Sequence, residues 1–164
     1  MTDLAAVFFL NATLIMVVLA WYAWHVNRLA HANRSLTAFL LLLAVGNAGQ
    51  IFFHTATTPD GALLCYRFSW IGWSLYPCYA VLMAMHLTGH AHLLRGWRGL
   101  ALLFLPALIF LVRSQTGLLG ISGIEATADG FALVRRYEPW DIAYPVFQYG
   151  YDLIAMGIIG WWAA

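Results

Sequence analysis

The sequence predicts an all-α membrane protein, a bundle of about five transmembrane helices with a small extracytoplasmic β-hairpin between helices four and five. Three observations lead there. Apolar residues make up 63% of the 164-residue chain and charged residues only 9%, whereas a soluble domain carries roughly 25% charged residues. Mean hydropathy is +0.76. Apolar runs of about twenty residues, the length that crosses a bilayer core, recur along the chain. Too few charges are present to solvate a globule, so lipid takes the place of water.

The first run, 4–26, has no basic stretch before it and is too long for the apolar region of a secretory signal, so it reads as a retained helix. The second covers 36–54. The third covers 63–88, with Arg67 near its start. The fourth, 99–119, is apolar only as far as Val112. It spans only if it continues through Arg113 to about Leu119, with that arginine snorkelling along the helix. The fifth, 142–164, is uncharged except for Asp152. In the long connection before it, 121–125 and 131–134 are short β-prone runs flanking Ala128-Asp129-Gly130, a turn signal that predicts the hairpin. The chain stops at Trp161-Trp162-Ala163-Ala164, still apolar. The expectation is a single transmembrane domain, 1–164, that is part of a longer polypeptide.

Orientation follows from arginine. Arg28 and Arg34 follow helix one, Arg95 and Arg98 follow helix three, and no acid accompanies them. Arg67, Arg113, Arg135 and Arg136 lie on the other side, but at helix ends or in the longest loop. Short loops and the first helix dominate topology, so the N-terminus is expected outside the cell.

Several function classes are excluded. A net charge of +1 offers nothing to nucleic acid. All eight basic residues are arginine, so no lysine amine exists for a Schiff base with retinal or pyridoxal. Cys65 and Cys78 are thirteen residues apart. On one helix that is about 20 Å, against the roughly 7 Å that a disulfide tolerates. They read as small packing residues. No phosphate loop, nucleophile elbow or pair of catalytic carboxylates is present, so no catalytic residue, cofactor or metal is assigned.

Polar groups inside a bilayer are expensive and therefore informative. Helix two presents Asn47, Gln50 and His54 on one face. Helix three carries a stripe of Tyr66, Ser69, Trp73 and Tyr76, and helix five one of Tyr144, Gln148, Tyr151 and Asp152. Turned inward, these stripes either form an aromatic-walled ligand pocket or hold the helices together by hydrogen bonds. Asp152 favours the pocket, because a mid-depth carboxyl is a costly way to join helices. The predicted ligand-binding set is Asn47, Gln50, His54, Trp73, Tyr76, Tyr144, Gln148, Tyr151 and Asp152. Helical rise places Asn47, Tyr76 and Asp152 at similar depth, and Asp152 is expected to donate a hydrogen bond to helix two or three.

Histidine supplies the alternative. His86, His90 and His92 cluster where helix three ends, and His25 sits level with them on helix one. Imidazoles at this spacing also suit a haem- or metal-binding electron-transfer subunit. Such chemistry usually draws on several clusters, so solvated interface histidines are the plainer reading.

The order of motifs resembles a known family. Helix three, with Tyr76-Pro77 at its centre and Thr88-Gly89 at its end, is followed by Leu105-Pro106-Ala107-Leu108, then Asp129-Gly130, then an aromatic stretch from Trp140 to Tyr151. Over about 36–151 this resembles the seven-helix N-terminal membrane sensor domain of bacterial histidine kinases and diguanylate cyclases. The resemblance implies a multi-pass sensor of the bacterial inner (plasma) membrane. Its expected partners are membrane lipid, a small apolar or amphipathic ligand, a second copy of the chain, and a cytoplasmic kinase or cyclase domain, as in two-component signalling. The expected function is a receptor module that binds its signal in an outer-half cavity and passes it to that effector.

Overall fold

The computed structural model describes residues 4–94, 96–116, 121–127, 130–135 and 138–164. Five long α-helices follow one another: α1 (Leu4–Val26), α2 (His31–Thr55), α3 (Pro59–Leu87), α4 (Trp97–Gln115) and α5 (Pro139–Ala163). A 3₁₀ turn, His90–Leu94, links α3 to α4. Strands β1 (Ile121–Thr127) and β2 (Gly130–Arg135) link α4 to α5. The strands pair antiparallel with Thr127 opposite Gly130, so the expected hairpin is present and longer than its β-prone runs. Its turn residues, Ala128 and Asp129, lie outside the described residues, as do Arg95 and Arg136.

Helices α1, α2 and α4 are long and apolar enough to cross a membrane. Helices α3 and α5 are 29 and 25 residues long, about 44 and 38 Å at the helical rise. Several boundaries differ from expectation. Helices α3 and α5 begin at Pro59 and Pro139, ahead of 63 and 142. Helix α2 begins at His31, because Asn27 turns the chain by accepting from the amides of Leu29 and Ala30. Helix α4 ends at Gln115, not near Leu119, and begins at Trp97. Arg113 therefore sits in a last turn, 3.6 Å from Glu138 and 4.2 Å from the Trp140 ring centre.

Local chemistry sets the ends. Thr58 caps α3 by accepting from the Gly61 amide, with Pro59 and Asp60 in the first turn. At the other end Gly89 takes φ +77°, the left-handed stop that glycine adopts without penalty. Helix α5 opens with Pro139, and the Asp141 carboxylate accepts from the Glu138 amide at 2.8 Å.

Helix α3 is the hub and packs on α2, α4 and α5, while α1 packs on α2. Small residues let α2 and α3 approach closely. A Cβ added at Gly72 would overlap the Leu42 carbonyl and the Gly46 amide, and one at Gly49 would lie 2.7 Å from Ser69 Cα. A core of Cys78, Val81, Leu103, Phe110 and Phe147 joins α3, α4 and α5. The large side chains of α1, among them Ile15, Val18 and Trp21, point outward. For a helix solvated by lipid tails that outward face costs nothing.

Candidate ligand-binding site

Helices α3 and α4, both packed against the region of the site, each carry a proline in mid-helix. Proline has no N–H, so the carbonyl four residues earlier loses its helical partner. For Pro77 of α3 that carbonyl belongs to Trp73, and the Tyr144 hydroxyl of α5 donates to it at 2.8 Å. For Pro106 of α4 it belongs to Leu102. The Tyr151 hydroxyl reaches that oxygen at 3.4 Å and the Leu103 oxygen at 3.1 Å. Two tyrosines one heptad apart on α5 thus satisfy the backbone that two prolines open.

Above these contacts, towards the hairpin, α2, α3 and α5 line an open-sided cavity of about 150 Å³, formed by Gln50, Tyr66, Ser69, Trp70, Trp73, Tyr144 and Gln148. Trp70 meets Tyr144 edge-on at 4.5 Å. Trp73 lies over Gly46, whose missing Cβ would be 3.0 Å from the indole. Gln50 donates to Ser69 Oγ at 3.1 Å, and Ser69 donates onward to the Tyr66 carbonyl at 2.7 Å. Gln148 donates to the Tyr76 hydroxyl at 2.6 Å, and Tyr76 donates to Asp152 Oδ2 at 3.2 Å. Each relay fixes its amide with nitrogen towards the protein partner. The amide oxygens of Gln50 and Gln148 accept no hydrogen bond among the described residues.

Of the predicted residues, Gln50, Trp73, Tyr144 and Gln148 line this cavity. Tyr76 is buried beneath it and links Gln148 to Asp152. The Asp152 bond is to helix three, but in the opposite direction to that expected: Tyr76 donates and Asp152 accepts. Three residues go elsewhere. Asn47 is buried in α2 and takes no part in the relay. His54 stacks on Phe9 of α1 at 5.9 Å. Tyr151 turns to α4. Sequence reasoning left Tyr66, Ser69 and Trp70 out of the site set. The i, i+3, i+4 relation among Tyr66, Ser69 and Trp70, running on to Trp73, was the available signal.

The histidines are engaged separately. His86 Nδ1 pairs with Ser35 Oγ at 2.8 Å, His90 Nδ1 with Thr88 Oγ1 at 3.0 Å, and His25 Nδ1 with the Trp21 carbonyl at 2.8 Å. No group of three or more His, Cys, Asp or Glu able to hold a metal occurs among the described residues. Both cysteines are free, and Cys78 Sγ donates to the Leu103 carbonyl at 3.1 Å.

No match was found among curated proteins or among solved structures. A family model described as the N-terminal 7TM region of histidine kinase matches residues 8–163. That match takes in α1 from residue 8, the other four helices and the hairpin, beyond both ends of the stretch on which the sequence resemblance rests. The chain belongs to the family of N-terminal 7TM regions of histidine kinases.

Proposed function

We propose that this chain is a single membrane-embedded sensory domain whose five helices all span the bilayer, with the N-terminus and the hairpin outside the inner membrane. The signal is a small amphipathic molecule, held in the cavity between α2, α3 and α5 and relayed to a cytoplasmic kinase. Family membership supports the kinase partner. The observation that carries the ligand reading is the cavity itself: aromatic walls, with the Gln50 and Gln148 amide oxygens left open. Those oxygens call for a hydrogen-bond donor, and the indole and phenol rings for an apolar body. At about 150 Å³ the cavity suits a benzene-sized group.

Transmission uses α5. Tyr144 both lines the cavity and donates to the carbonyl that Pro77 frees. A ligand that competes for Tyr144 or Gln148 therefore changes how α5 is held on α3. It signals only if it favours one of the two arrangements.

The test uses a fluorinated phenol, followed by ¹⁹F NMR with the protein in lipid nanodiscs. Saturable broadening in the wild type, lost in Gln148→Leu and in Trp73→Ala while both variants stay folded, is expected. No saturable broadening, or broadening unchanged in both variants, rejects this cavity as the ligand site.

A further inference from the structure

A second cavity, of about 430 Å³, lies at the end of the bundle away from the hairpin, where α1, α2 and α3 meet. Its lining divides by depth. His31 and Arg34 of α2 and His86 of α3 stand at the end of the bundle, and Ala38, Leu41 and Tyr79 continue towards the middle.

The polar end is organised. His31 and His86 stack at 5.5 Å, and Ser35 Oγ holds His86 through Nδ1 at 2.8 Å. Nε2 of that ring is left without a partner among the described residues. Arg34 is exposed and its guanidinium makes no ion pair or hydrogen bond among the described residues. No carboxylate can neutralise it locally. The acids of the chain are Asp3, Asp60, Glu125, Asp129, Glu138, Asp141 and Asp152. None lies in α1, α2, the 3₁₀ turn or α4, and the one in α3, Asp60, is at its opposite end. This end of the molecule is basic without compensation.

The apolar end faces lipid. Leu41 and Trp24, which also line the cavity, are 45% and 41% exposed. Trp24 stands where an indole suits the boundary between headgroups and acyl chains.

We infer that this cavity seats an anionic phospholipid, with its phosphate on Arg34, His31 and His86 and its first acyl carbons along Ala38, Leu41 and Tyr79. A dissolved phosphate satisfies only the first half of that surface. The apolar floor selects the lipid. In the orientation proposed above this is the cytoplasmic leaflet, where anionic headgroups attract basic side chains. The site shares no residue with the ligand cavity and stands or falls without it.

Native mass spectrometry of the full chain released from nanodiscs, with phosphatidylglycerol and phosphatidylcholine of matched acyl chains as probes, tests the inference. Phosphatidylglycerol should be retained over phosphatidylcholine. Arg34→Gln should cut that retention about five-fold, the equivalent of the ~1 kcal/mol that one basic side chain contributes near an anionic surface. Arg34→Lys should keep most of it. Arg28→Gln removes the same charge outside the cavity and should leave retention at the wild-type level. Equal retention of both lipids, or equal loss in Arg28→Gln and Arg34→Gln, overturns the site. Displacement of bound phosphatidylglycerol by millimolar inorganic phosphate overturns the assignment to lipid.

Discussion

The Tyr144 hydroxyl lies 2.8 Å from the Trp73 carbonyl oxygen, the acceptor that Pro77 deprives of its own helical partner. An unpaired carbonyl inside a bilayer costs several kcal/mol, and neighbouring helices are a usual remedy. A proline in one helix and a tyrosine in another, 67 positions later in the chain, thus form one unit.

That unit predicts a non-additive pair of substitutions. Tyr144→Phe should lower stability by about 1–3 kcal/mol, the cost of leaving a buried acceptor unmade. In the background of Pro77→Ala the new amide can bond Trp73, and the same substitution should cost clearly less. A double-mutant cycle by unfolding in detergent measures this. Additive losses would separate the two residues.

The α2–α3 crossing makes a second prediction. Gly72→Ala inserts a methyl into the Leu42 carbonyl and the Gly46 amide, a backbone clash that should cost about 1–3 kcal/mol or more. At Gly157, where an added Cβ meets nothing, alanine should be neutral or slightly stabilising. Comparing the two melting curves decides it. Equal melting temperatures would mean that the helices are not in close contact at Gly72.

The Gln148–Tyr76–Asp152 relay makes a third. Asp152→Asn keeps an acceptor for the Tyr76 hydroxyl and should preserve stability within about 0.5 kcal/mol. Asp152→Leu leaves the hydroxyl without one and should cost about 1–3 kcal/mol. Thermal unfolding of the two variants, with Tyr76→Phe added to each, provides the check. A smaller cost of Asp152→Leu in the Tyr76→Phe background than in the wild type is the expected signature, and an equal cost in both backgrounds would place the damage elsewhere.

Topology makes a fourth. Single cysteines at Gly61→Cys and Gly130→Cys, in a chain with Cys65 and Cys78 replaced, should react with an impermeant maleimide in intact cells. His31→Cys and Gly96→Cys should react only after permeabilisation. The reverse labelling pattern would invert the orientation and move the lipid site to the other leaflet.

Much of this architecture was legible in the order of residues. The end of helix three was legible in Thr88-Gly89, because caps act over three or four positions. The hairpin was readable around Ala128-Asp129-Gly130 for the same reason. Helices three and five, by contrast, were expected from 63 and 142 and begin earlier, at the caps Thr58-Pro59 and Glu138-Pro139. Helix four was carried past its end because Arg113 looked like an interruption to be bridged. Glu138 and Trp140, which make it a terminus, come 25 and 27 positions later.

The candidate site was half legible. A helical stripe names the residues that share a face, and Gln50, Trp73, Tyr144 and Gln148 do meet. The period leaves open which neighbour each face meets, and His54 turns to α1 while Tyr151 turns to α4. The sequence by itself determined that the chain needs lipid, where its helices begin and end within a few residues, and which positions carry polar groups in them. These follow from composition, caps and periodicity, all local quantities. Only the tertiary structure decided that Tyr144 and Tyr151 repair the backbone opened by Pro77 and Pro106, that Asp152 is reached through Tyr76, and that Arg34, His31 and His86 share one cavity. Those pairings depend on which helices pack together and at what rotation. Close packing at Gly46, Gly49 and Gly72 helps set that arrangement, and helix periodicity alone does not.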